Sequence, residues 1–343
     1  MHIIDMRRAA VGTLASLFVI PAQAQFYDLV DLGSLVSTSY SVPHSLNENG
    51  DVVGYSYTLG GAHAFLWTAG TGMRDLGAPS GASASYAYGV NDLGQVVGYT
   101  SLGGTDVGFF WSEATGMRLI NAPNGANSHA REINDAGVVV GYAQLANGKY
   151  HAFTWSPSTG PKDLGTLSGA AANSYGTGIN ASGGVGGFSQ VGGSAHAFAW
   201  DQAQGMRDLG TLGGVSSYGK AISNSGLVVG YSSVGGSDHA FLWSAAEGMR
   251  DLGTLGGANS YAKGVNDAGL VVGQSDTATA PRGFVWSLEN GMRDLNTVTY
   301  GAQDWLIEAG LGINGKGQIA ALGKNARGRY HALLLVPVAD AAR

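Results

Sequence analysis

The chain has 343 residues, of which 12% are charged, with a formal net charge of −6 and no cysteine. An acidic balance argues against a nucleic-acid partner, and the lack of cysteine excludes a disulfide framework, a thiolate metal site and a cysteine nucleophile. The 57 glycines follow no Gly-X-Y period and 44% of residues are hydrophobic, so neither a collagen-like nor a disordered chain fits.

Residues 1–24 read as a secretory leader. Arg7-Arg8 is the charged start, Ala9 to Ile20 the apolar stretch, and Ala22-Gln23-Ala24 the small-residue cleavage site. The apolar stretch falls short of the roughly 20 residues a membrane span needs, and no later stretch reaches that length. The expectation is a leader cleaved near Ala24, one domain over 25–338, a short tail over 339–343, and a secreted product, extracellular or periplasmic, that does not insert into a membrane.

Beyond the leader the chain repeats. Trp67, Trp111, Trp155, Trp200, Trp243 and Trp286 recur every 43–45 residues. Residues 253–295 serve as the type unit, with four short apolar segments bounded by turn residues: Tyr261 to Val265, Leu270 to Gln274, Gly283 to Ser287 and Gly291 to Leu295. Their length and their Val, Phe, Trp and Tyr content predict strands. The first two are joined by Asn-x-x-Gly, as in Asn47/Gly50 and Asn266/Gly269, with Ser223/Gly226 in the fifth unit. That is the signature of a type I turn, so the asparagines are read as turn formers.

The third strand sets His63, Phe65 and Trp67 on one face and Ala64 and Leu66 on the other. Both faces are apolar, so each sheet packs between two neighbours. The fourth carries Arg-Asp or Lys-Asp, as in Arg74-Asp75, which marks the exposed edge. Four strands in about 43 residues is the spacing of a propeller blade. Phe26 to Gly33 looks like a fourth strand with no unit before it, because Asp31-Leu32-Gly33 repeats Asp75-Leu76-Gly77. The last unit stops after Tyr330 to Leu335, with its fourth strand missing. The fold expected is therefore all-β: a seven-bladed β-propeller of four-stranded blades, closed by the N-terminal strand completing the last blade.

His-Ala-Phe-x-Trp, Asn-x-x-Gly-x-Val-Val-Gly and Gly-Met-Arg-Asp-Leu-Gly together resemble the bacterial extracellular HAF-repeat family, over about Asp31 to Leu335. The resemblance implies a secreted protein of repeats. It carries no catalytic residue, and the C-terminal apolar sorting tail of some relatives has no counterpart here.

Candidate site residues are those that escape the repeat. Two residues after the recurrent Ser-Tyr of each first strand, the position varies: His44, Tyr88, Arg131, Thr177, Lys220, Lys263, Leu311. Of these, His44, Tyr88, Arg131, Lys220 and Lys263 are expected to bind a polar or anionic ligand such as a glycan. The plainer reading is that the tyrosines pack between blades and the basic groups are solvated. The stretch Tyr300 to Glu308 exceeds the repeat by five residues and adds Asp304, Trp305 and Glu308, read as an acidic-aromatic lip. Long loops favour binding, so the face bearing the second-to-third and fourth-to-first connections is the expected binding face.

Neither metal nor cofactor is expected. His63, His151, His196, His239 and His331 share one repeat position on different blades, too far apart for the roughly 2.0–2.1 Å that zinc requires, and are read as bonding loop backbone. The leading expectation is a secreted, non-catalytic binding propeller for an extracellular or cell-surface polymer, a carbohydrate above all. A hydrolase or lyase at the channel mouth, with Asp304 and Glu308 as its carboxylates, and a protein-interaction platform stay open.

Overall fold

The computed structural model describes residues 26–120 and 127–338. The leader over 1–24 and the tail over 339–343 lie outside the described residues. Seven sheets form seven blades; six have four antiparallel strands each, in sequence order from the axis outward. The innermost strands are Ser41–Leu46, Ala82–Val90, Ser128–Ile133, Ser174–Ile179, Ser217–Ile222, Ser260–Val265 and Trp305–Ile313. In the type unit the four strands run Ser260–Val265, Val271–Asp276, Pro281–Ser287 and Gly291–Asp294, within two residues of the segments read from sequence.

The core lies between blades. Phe65, Phe109, Phe153, Phe198, Phe241 and Phe284, the phenylalanines of the third strands, are all 0–1% exposed, and Leu333 takes the position in the seventh blade. Burying each ring contributes about 1.5–3 kcal/mol. Each first-strand serine then fastens two blades. Ser85 Oγ donates to the Gly77 carbonyl at 2.6 Å and accepts the Ala64 N–H at 2.9 Å.

The histidines of the third strands bond a carboxylate, where sequence reading expected loop backbone. Nδ1 of His63, His151, His196 and His239 lies 2.8–2.9 Å from Asp75, Asp163, Asp208 and Asp251 of the neighbouring fourth strand. Where Arg282 replaces histidine it faces the equivalent Asp294 at 3.8 Å. Where Val107 replaces it, the aspartate position holds Leu119, so the pair is lost together. The basic residue beside Asp75, Asp163 and Asp208 leans over the tryptophan of the next blade, as Arg207 does over Trp243 at 5.0 Å.

The seventh blade closes the ring. Phe26–Asp31 pairs antiparallel with Tyr330–Val338, from Phe26 opposite Val338 to Asp31 opposite Leu333. The local signatures recur across this joint. His331 Nδ1 reaches Asp31 at 2.8 Å, and Ser41 Oγ accepts the Ala332 N–H at 2.8 Å. The five additional residues serve closure. Thr299–Tyr300 pairs parallel with Phe26–Asp31 on its outer side, and the Tyr27 N–H donates to the Val298 carbonyl at 2.9 Å. Leu295, Val298 and Ala302 bury themselves beneath this clasp.

Candidate functional site

A β-bulge in each innermost strand builds the site. The cross-strand register skips one residue in every blade, and the skipped residues include His44, Tyr88, Arg131, Thr177, Lys220, Lys263 and Leu311. These are the positions that vary between repeats. A bulge bends its strand and re-aims one side chain, here toward the axis. The glycine of Val-Val-Gly on the second strand makes the bulge possible. A β-carbon at Gly98 would sit 1.9 Å from the Tyr86 carbonyl oxygen, and one at Gly230 would sit 1.9 Å from that of Tyr218. The seventh blade has Ala321 at this place, and its inner strand carries a second bulge at Glu308.

The seven bulge residues line an axial cavity of about 520 Å³, together with the ends of the inner strands and the Asn-x-x-Gly turns. This corrects the expected face. The cavity opens between the tight turns, and the long loops lie at the other end of the blades. Near that other end the Ser-Tyr tyrosines pack against the second strands of their own and the preceding blade. Tyr218 stacks on Tyr231 at 4.9 Å, and Tyr231 meets Tyr261 of the next blade edge-on at 5.0 Å. Such contacts run unbroken from Tyr55 to Tyr261. The plainer reading of those tyrosines was correct.

Inside the cavity, half of the bulge ring is self-contained. The His44 ring stacks on Tyr88 at 4.0 Å, and the Arg131 guanidinium lies over the same Tyr88 ring at 3.8 Å. Burial, with Arg131 adding to it, holds the His44 imidazole neutral and lowers its pKa to about 3. The other half presents Lys220 and Lys263. Burial lowers the Lys220 pKa to about 8, helped by the charges of Lys263 and Arg131. Lys263 is lowered for the same reasons, burial first and then Arg131. Among the described residues, Arg131, Lys220 and Lys263 have no ion pair and no hydrogen bond to protein.

Glu132, which sequence reading missed, stands beside this cationic group. Gly89 leaves space for it: a β-carbon there would lie 2.6 Å from Glu132 Oε1. The carboxyl thus reaches past one blade to Ser45 Oγ at 3.4 Å and accepts the Ile133 N–H at 3.2 Å. Burial raises its pKa to about 8 against those bonds and Arg131, so it is largely protonated at neutral pH.

The mouth is held by the turn asparagines, which do more than shape turns. Asn47 Nδ2 donates to the Asn91 carbonyl at 3.0 Å, Asn91 to Asn134 at 3.0 Å, and Asn314 to Asn47 across the closure at 2.9 Å. The relay passes from Asn266 round to Ser223, which has no amide to continue it. A collar of carboxylates follows the asparagines. Asp92 accepts the Glu48 N–H at 2.8 Å, Asp135 the Asp92 N–H at 2.8 Å, and Glu48 the Gly315 N–H at 2.7 Å.

Asp304, Trp305 and Glu308 are not among the residues that line this cavity. Asp304 is exposed in the closing clasp, where its carbonyl accepts the Ala326 N–H. Trp305 packs beside His331, with ring centroids 5.6 Å apart. Glu308, the residue skipped at the second bulge, accepts the Tyr330 hydroxyl at 3.3 Å. Trp305 and Glu308 lie in the innermost strand of the seventh blade, while the closing strand takes its outer partner from Thr299–Tyr300. Among the described residues no three His, Asp or Glu side chains gather as metal ligands, and no helix is long and apolar enough to cross a membrane.

No protein-family model and no curated protein matches the sequence. Among solved structures, the chain is similar to virginiamycin B lyase from Staphylococcus aureus, with TM-score 0.58 and 10% identity over 90% of this chain and 100% of that one. It is similar to puromycin hydrolase, with TM-score 0.55 and 12% identity over 85% of this chain and 53% of that one. It is also similar to YCF48 bound to D1 peptide, with TM-score 0.53 and 12% identity over 92% and 95%. At such identities the likeness is one of fold.

Proposed function

We propose that this chain is a secreted, non-catalytic binding propeller that takes an extracellular or cell-surface carbohydrate polymer at the tight-turn mouth of its axial cavity. One observation carries the reading. Serine, glycine, asparagine and phenylalanine recur blade after blade, while the seven bulge positions facing one cavity vary, with lysine alone occurring twice. A scaffold that repeats everywhere except toward its cavity keeps that cavity for recognition. Its volume falls within the roughly 300–1,000 Å³ typical of small-ligand sites, enough for the end of a sugar chain. The leader-like residues 1–24 and the resemblance to the HAF-repeat family support export.

The test is a glycan array and a soluble polysaccharide panel, read by calorimetry on the full chain. Binding of at least one carbohydrate, weakened at least tenfold in a Lys220→Met, Lys263→Met double variant, is expected. No binding above background across both panels, or binding indifferent to that variant, removes the proposal.

A second reading has one observation in its favour. Glu132 and Lys220 share the cavity, and burial brings both toward neutral pKa values, a pattern found in acid–base catalysis. A lyase or hydrolase at the mouth would turn over a polysaccharide, and Glu132→Gln would abolish it. Unchanged turnover in that variant removes this reading.

A further inference from the structure

Resting on the reading of the cavity as a carbohydrate site, we infer that its ligand enters acid-first: a chain-terminal sugar bearing one oxyanion, which settles on Arg131, Lys220 and Lys263 while the sugar's hydroxyls meet the collar of Glu48, Asp92, Asp135 and Asp267. Outside the cavity, Arg74, Arg250 and Arg282 each have an acidic partner, in Glu113, Glu247 and Asp294. Inside it, three cations have no acidic partner among the described residues. Clustering unpaired cations in a partly desolvated site is unfavourable unless an anion completes it. The one carboxyl beside them, Glu132, is buried and bonded to Ser45 and Ile133, and its protonated form leaves the cationic charge uncancelled.

The rest of the lining narrows the ligand further. Tyr88 is the one tyrosine of the cavity wall, and His44 and Arg131 already lie on its ring from the blades to either side. A neutral sugar that needs an aromatic platform finds none free. The collar is built of acceptors. Asp267 takes the Ser225 N–H at 2.9 Å and the Asn224 amide at 3.2 Å, and like its neighbours it remains at the rim. Carboxylates accept from sugar hydroxyls and repel further anions. A floor of cations beneath a collar of carboxylates therefore selects one charged end group over a densely charged polymer.

Calorimetry on the full chain tests this with four probes and one competitor. The probes are a disaccharide ending in a uronate, its methyl ester, a matched disaccharide with one ester sulfate, and a neutral disaccharide. Inorganic phosphate is the competitor. Expected is binding of the uronate or the sulfate, at least tenfold weaker binding of the ester and the neutral sugar, and displacement by phosphate. Which acid binds more tightly identifies the oxyanion. Lys220→Met should lose at least tenfold in affinity while its melting temperature holds or rises, since a packing residue would lose both. Equal binding of acid and methyl ester overturns the inference and leaves the carbohydrate reading standing. Phosphate bound with no sugar bound keeps the anion floor and ends the carbohydrate reading. No binding of any probe overturns both.

Discussion

Glu132 shows how one side chain makes stability depend on pH. Its folded pKa of about 8 lies above the ordinary value of 4.5, so between those values the native state holds a proton that the unfolded chain releases. Stability from this group is complete below pH 4.5 and declines as pH rises toward 8. Arg131, Ser45 Oγ and the Ile133 N–H favour the charged form, and burial outweighs them. Glu132→Gln keeps the shape without the proton. Urea melts at pH 8 should show it more stable than the parent, with the gap closing at pH 4.5; a gap independent of pH would refute the assignment. Asn314 makes a different point. Its side chain accepts from Gln318 N–H and donates to the Asn47 carbonyl across the ring joint. Asn314→Ala strands buried groups on both sides, and a loss of about 1–3 kcal/mol is expected in the same melts. A loss below a few tenths would show that the amide relay is incidental. The sequence displayed these asparagines as turn formers, which they are. It did not display the second bond, because that bond joins residues more than forty apart.

The element that matters most is the bulged inner strand. Val-Val-Gly was visible in every unit but the fourth, where Gly186 stands for the second valine, and the seventh. Glycine inside a strand marks a bulge or a close backbone approach. The close approach at Gly230 to the Tyr218 carbonyl carries a prediction. Gly230→Ala cannot be absorbed by a side-chain shift, since the obstacle is backbone. The bulge must flatten or the blade must part, at a cost of about 3 kcal/mol or more. Lys220 would then no longer face the axis, so any ligand affinity should fall together with stability. Wild-type melting and wild-type binding in this variant would show that the glycine is dispensable. Four strands per unit, the turn glycines and the interblade phenylalanines were legible because each rests on short-range pattern. Which end of the channel the bulge residues share with the cavity was not. That depends on where the aromatic contacts from Tyr55 to Tyr261 sit relative to the bulges, and neither strand reveals its depth along the axis. The five added residues misled for a related reason. Asp304, Trp305 and Glu308 look like part of one site with the bulge residues, yet they stand apart from the cavity, and Thr299–Tyr300 beside them pairs with the far end of the chain, Tyr27 opposite Thr299.

At the scale of the whole molecule, closure is the decisive fact. Its evidence in sequence was a fragment at one end matching a gap at the other, and the structure pairs them over six residues. Removing Phe26–Asp31 takes away that ladder, the partner of His331 and the inner neighbour of Thr299–Tyr300. The truncated chain should elute as aggregates or a broad peak and melt well below the parent; an unchanged melt with a sharp monomer peak would mean that the seventh blade stands without its borrowed strand. Asp31→Ala is the milder form, losing the histidine partner and the Gly33 N–H bond while the strand remains. It should lower stability by about 1 kcal/mol. Phe26 and Val338 face each other across the ladder at the far side of the seventh blade from the axis. A cargo fused through either residue would hang from one point on the circumference, so the molecule can be immobilised on a bead or sensor by that handle with its central opening still turned to the solution.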